Sequence, residues 1–305
     1  MTDAAAEVSA RAERRALTGS IVASGALGAV AVGWGLTARA DVVVFDGIFT
    51  LAGIALVAVS LLASRAAASA PSRRFPFGRH AATPLTVAMQ GAAIFATLVY
   101  GAVSAVGTIV AGGSEAGGGA ILAYGAFSAV VAAAVAWWLQ RVAPDGDLAR
   151  AEVVSWRAGA ALSVVVAVGG VVALALQAGG HDRAAAFVDP VLVLVAVVSV
   201  APLPVRLVRE GMHELLEGAA PADVLAAVGR AVDGARAGFD LPDPLVRATK
   251  LGRRLYVEVD FVVAEHHWDV DDEDRVRRAV TDALEALPFD VWANVELTTD
   301  RELAE

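Results

Sequence analysis

Residues 41–64 read DVVVFDGIFTLAGIALVAVSLLAS, an apolar stretch led by two aspartates and free of any other charge. About 20 apolar residues in helical conformation cross a bilayer core, and no face of this stretch is polar enough for a soluble helix. It therefore predicts a transmembrane helix over 42–63. Asp46 lies about five residues inside that span, where a carboxylate is costly and by default functional. Five further stretches have the same character, at 16–37, 84–111, 117–139, 153–176 and 188–208. They are rich in Gly, Ala and Ser, the small residues that let helices approach closely where lipid offers no hydrophobic drive for association.

The connectors orient these six spans. Arg11, Arg14, Arg15, Arg65, Arg73, Arg74, Arg79, Arg141, Arg150, Arg206 and Arg209 fall on one side, and only Arg39 and Arg183 on the other. The positive-inside bias then predicts that both termini are cytoplasmic, in a multi-pass protein of the inner membrane. The charged start, MTDAAAEVSARAERRAL, followed by a full-length apolar run, is read as no cleaved signal peptide. Trp34, Trp137 and Trp138 stand near span ends, as interfacial anchors do.

Composition agrees with this division. Hydrophobic residues are 57% of the 305, mean hydropathy is +0.62 and charged residues are only 19%. Through Gly211 there are 14 Lys and Arg against 12 Asp and Glu; beyond it the numbers are 10 and 21. A near-neutral membrane part and a strongly acidic tail predict two domains, 1–211 and 212–305, in different media. Phosphate neutralisation needs clustered cations, so the acidic tail argues against a nucleic-acid partner. The chain has no cysteine, which excludes disulfides, thiolate ligands and cysteine catalysis.

The tail reads as helix 221–237, paired strands 245–251 and 255–263 around a Gly252–Arg254 turn, helix 270–287 and strand 291–298. The predicted fold class is an α-helical membrane protein of six transmembrane helices plus a C-terminal α+β domain. That domain is an αββαβ open-faced sandwich with its helices on one sheet face.

Six spans followed by such a tail resemble the cation diffusion facilitator, or cation efflux, family, and three segments sharpen the likeness. Residues 41–64 are similar to the family's Asp-led second span. The loop SRRFPFGRHAATPL, 72–85, resembles its His-Pro-Phe-Gly-His-Gly stretch. The sixth span opens VDPVLVLVAVV, 188–198, like its Asp-led final helix. The resemblance implies a homodimer and a divalent cation bound mid-membrane between the second and fifth spans, usually exchanged for protons. Asp46 matches the first ligand position, and Thr50 stands where a second Asp is expected. In span five the usual His-x-x-x-Asp is absent. One register places Ser155 and Gly159 there, and another Glu152 and Trp156. Phe75 and Arg79 replace loop histidines that would hold a second metal.

Residues four apart share a helix face, so Asp46 and Thr50 can converge with Ser155 or Glu152 on one ion. These four are the candidate metal residues. All are oxygen donors, and the five histidines (His80, His181, His213, His266, His267) lie outside the spans. Zinc favours nitrogen and sulfur donors, whereas Mg²⁺, Mn²⁺ and Fe²⁺ tolerate oxygen with retained water. The expected function is thus proton-coupled efflux of a hard divalent cation, carried as substrate, with no bound cofactor and no enzymatic activity. The alternative is a transport-inactive scaffold or sensor of the same fold, signalling through its cytoplasmic dimer.

Arg157 separates the two readings. A guanidinium paired with Asp46 or Glu152 would fill the site and repel a divalent ion; one that snorkels to the cytoplasmic face leaves it open. Gly159 is expected to let span five pack on span two. Asp189 suits a helix start, and Gln90 an interhelical hydrogen bond. In EHHWDVDDED, 265–274, the acids read as a helix cap, with metal binding through His266, His267, Asp269, Asp271 and Asp272 as the competing possibility.

Overall fold

The computed structural model describes residues 2–67, 69, 71–143, 147–265 and 267–304. Six helical segments are long and apolar enough to cross a membrane: Arg15–Ala38, Asp41–Ala67, Ala82–Val110, Gly118–Val142, Glu152–Ala178 and Asp182–Leu215. They belong to helices α1 (Thr2–Ala38), α2 (Asp41–Ala67), α3 (Ala82–Val110), α4 (Gly118–Val142), α5 (Asp147–Ala178), the short α6 (Asp182–Ala185), α7 (Val188–Val200) and α8 (Pro202–Leu215). The last span, expected over 188–208, runs through α7 and α8 with one break in its hydrogen-bond ladder. The ladder breaks after Ala201, whose own backbone is still helical (φ −51°, ψ −35°), because Pro202 has no N–H to continue it.

Packing divides the chain into two compact units, residues 1–58 with 92–205, and residues 59–91 with 206–305. In the first, glycines set the helix spacing. A Cβ on Gly47 of α2 would lie 2.7 Å from the Val32 nitrogen of α1. One on Gly170 of α5 would lie 2.3 Å from the Leu122 nitrogen of α4, and one on Gly125 of α4 would lie 2.5 Å from the Ala167 nitrogen. These are backbone-to-backbone contacts that only glycine permits. Gly159 is not among them: a Cβ there meets nothing within 4 Å. Span five packs on span four through Gly125 and Gly170, and the expected role of Gly159 against span two is not found.

Asp189 of α7, 1% exposed, caps a helix other than its own. Its carboxylate accepts from the backbone N–H of Asp41 at 2.8 Å and Val42 at 2.9 Å, and from the Ser114 hydroxyl at 2.7 Å. It thereby satisfies the orphan donors that open α2, the helix carrying Asp46. Trp34 turns inward instead of anchoring at the interface. Its ring lies 6.3 Å from Tyr124 and 6.4 Å from Phe127. Trp137 is 57% exposed, with the Arg141 guanidinium 4.3 Å over its ring.

In the second unit, α9 (Ala222–Ala237), β1 (Leu245–Leu251), β2 (Arg254–Val262), α10 (Val270–Glu285) and β3 (Asp290–Thr298) realise the expected αββαβ order. The sheet order is β1-β2-β3, with β1–β2 antiparallel and β2–β3 parallel. Alternate residues of β2 (Leu255, Val257, Val259, Phe261) pack on Val224, Val228 and Val232 of α9 and Val276, Val280 and Leu284 of α10. Each such buried side chain contributes about 1.5–3 kcal/mol. The β1–β2 turn needs Gly252, at φ 63°. Asp269 and Asp272 form a reciprocal capping box at the start of α10. His266 lies outside the described residues.

Two interactions involve the span ends that belong to this unit. Gln90 of α3 donates to the Ser60 hydroxyl of α2, the interhelical bond expected of it. The 72–83 loop meets β2 and β3: Phe77 stands edge-on to Trp292 at 5.8 Å, and the His80 Nε2 lies 3.0 Å from an Arg254 nitrogen. Arg254 also pairs with Asp290 at 3.1 Å and lies 5.6 Å from the Trp292 ring.

Candidate functional site

Asp46 sits on α2 one turn before Thr50, so both face the same way. The side they face is a cavity of about 190 Å³ in the first unit. Glu152, Ser155 and Gly159 of α5 line it as well, as do Ser24 of α1, Ser128 of α4 and Ser163 of α5. The four candidate metal residues therefore share one cavity. Both registers weighed for span five are represented, since Glu152, Ser155, Trp156 and Gly159 all lie on its wall. Three of these are polar in function or open in space, while Trp156 is buried and donates its Nε1–H to Ser20 at 2.8 Å.

Each candidate has a distinct environment. One carboxylate oxygen of Asp46, Oδ2, accepts from the Tyr124 hydroxyl; among the described residues no donor reaches the other. Glu152 accepts from Ser20 at 2.6 Å, which fixes its carboxylate at the end of a Trp156–Ser20–Glu152 chain. Thr37, Thr86 and Thr97 turn their hydroxyls back onto carbonyls of their own helices, the usual habit of threonine in a span. Thr50 makes no such bond among the described residues and instead faces the cavity. Ser128 and Ser163 lie 3.0 Å apart across α4 and α5, and Ser163 donates to the Gly159 carbonyl at 2.9 Å.

Arg157 does not reach the cavity. It is exposed and lines a separate depression with Gln140, Arg150, Val153 and Val154. No acid lies within ion-pair distance of it among the described residues. The arrangement that would have filled the site with a fixed guanidinium is not the one adopted.

Tyr124 was missed by sequence reasoning, because a tyrosine in an apolar span reads as packing. Only its partner, in a different helix, marks it as polar. Ser20, Ser24, Ser128 and Ser163 were missed for the same reason. A signal was available: small hydroxyls recur in α4 and α5 at 128, 155 and 163, and these line the cavity that Asp46 lines.

Oxygen is the only donor element these side chains offer. A cavity of that size, with two carboxylates and at least five hydroxyls on its wall, can replace part of the hydration shell of a cation and neutralise a double charge. Among the described residues no group of three or more His, Cys, Asp or Glu is gathered as a ready cage. Water or backbone oxygens would have to complete the shell, as they do for hard ions.

Six spans and a polar cavity among them describe a multi-pass membrane protein. The family model of the cation efflux transmembrane domain matches residues 17–216. The chain belongs to the cation efflux family and is a metal cation efflux transporter. No curated protein matches the chain.

Proposed function

We propose that this protein exports a hard divalent cation, of the Mg²⁺, Mn²⁺ or Fe²⁺ type, in exchange for protons. Asp46, Thr50, Glu152 and Ser155 are the ligands. The observation that carries this reading is their meeting at one oxygen-lined cavity, away from Arg157. Oxygen-only donors select against zinc, which prefers nitrogen and sulfur.

Proton coupling follows from the same carboxylates. A divalent ion leaving Asp46 and Glu152 would strand two charges in a poorly solvated space, and protons from the far side neutralise them. The protein works as an inner-membrane homodimer with both termini in the cytoplasm and its acidic domain, from about Met212, on that side. The direct test is flux in proteoliposomes over a panel of Mg²⁺, Mn²⁺, Fe²⁺ and Zn²⁺, with and without an imposed pH gradient. Mn²⁺ or Fe²⁺ movement that acidifies the compartment the cation leaves is expected. Zinc moving alone, or no ion moving, would overturn the assignment.

A further inference from the structure

Asp46 is held from behind by a residue that no ligand position accounts for. Tyr124 is 2% exposed, and its hydroxyl donates to Asp46 Oδ2. Its ring is fixed by Trp34 on one side, at 6.3 Å, and by the inner cluster of Ile121, Val43 and Val193. The helix it stands on cannot shift easily either, since α4 meets α5 backbone to backbone at Gly125 and Gly170, either side of it in the contact. Tyr124 and Asp46 also line a second cavity, of about 210 Å³, whose other walls are mainly apolar and include Phe45, Phe49, Leu192 and Val195. On that side the remaining polar groups are Ser163, which donates to the Gly159 carbonyl, and Ser199, which donates to the Val195 carbonyl.

We propose that Tyr124 determines which cations the site accepts, by holding Asp46 to a single coordinating oxygen. The proposal rests on the transport reading above. A carboxylate with one oxygen engaged by a fixed donor binds an ion through the other, end-on. That suits small ions, which take six ligands at about 2.0–2.1 Å and keep several waters. A larger ion such as Ca²⁺ seeks six to eight oxygens at about 2.3–2.6 Å and is commonly held by carboxylates through both oxygens at once. Tyr124 withholds that second oxygen. It is a positioning residue, acting through Asp46 and touching no ion itself.

The test uses the full chain in proteoliposomes, comparing Mn²⁺ with Ca²⁺ as competing substrates in wild type and Tyr124→Phe. Phenylalanine keeps the ring and its packing and removes only the hydroxyl. The variant's Ca²⁺-to-Mn²⁺ flux ratio is expected to rise about tenfold, the scale of one charge-assisted hydrogen bond. An unchanged ratio, or parallel loss of both fluxes in a folded variant, would overturn the proposal. A wild type that moves neither ion overturns the transport reading first, so the two failures are distinct.

Infrared difference spectra of the wild type supply a measurement that needs no Tyr124 variant. Loading with Mn²⁺ should give the wide separation of carboxylate stretches typical of end-on binding, in a band absent from Asp46→Asn. A narrow, two-oxygen separation would contradict the proposal.

Discussion

At the scale of single residues, Asp46 supplies the one formal charge that α2 offers to the cavity. Asp46→Asn keeps the shape and removes the charge. Cation flux in proteoliposomes should fall to background, while elution on size exclusion stays that of wild type. Flux at the wild-type level would remove Asp46 from the mechanism. Asp189 makes a contrasting case. Alanine there would leave the backbone N–H groups of Asp41 and Val42, which open α2, without their acceptor. At about 1–3 kcal/mol for each unsatisfied buried group, Asp189→Ala should lower the melting temperature measurably and reduce flux with it. Asp46 was legible because an acid in a span has few structural explanations. Asp189 was legible only as a helix-start residue, since nothing in VDP tells that the capped helix is α2. Pairings across helices leave no trace in local sequence, and so Tyr124 stayed hidden.

At the scale of elements, periodicity and length sufficed for the spans and for all five pieces of the αββαβ tail, where alternation in β2 and acids at the start of α10 are local signals. Contacts between elements were less accessible. Many glycines occupy the spans, and nothing in their spacing distinguishes Gly170, which abuts Leu122, from Gly159, which faces open space. Docking of the 72–83 loop on β2 and β3 was equally invisible, and it carries a prediction. Burial first, and then the Arg254 guanidinium, hold His80 below the usual imidazole range, with Asp290 opposing them. The folded state therefore prefers neutral His80. Stability from this contact is complete above the unfolded value of about 6.5 and is lost as pH falls below it. Hydrogen exchange should show amides of residues 72–83 losing protection between pH 7.5 and 5.5, with His80→Gln largely abolishing the pH dependence. Equal protection at both pH values would show that the loop is held by Phe77 and Trp292 alone.

At the scale of the whole molecule, charge is distributed so as to orient the chain. Eleven arginines occupy the terminus and connectors assigned to one side, and two occupy the other. Arg39, one of those two, is paired with Glu115. Loops within reach of the span ends orient by cationic excess, and negative residues contribute little to it. The strongly acidic tail, 21 Asp and Glu against 10 Lys and Arg beyond Gly211, therefore does not oppose the cytoplasmic placement proposed for it. Six spans, an even number, return the chain to the side on which it started. Reporter fusions active only in the cytoplasm should then succeed at both ends, and a fusion in the Gly112–Gly117 connector should report the outside. A cytoplasmic signal from that connector, or an external one from either end, would invert the topology. It would also place Glu152, five residues after Asp147 opens α5, at the exit of the pathway and no longer at its cytoplasmic entrance.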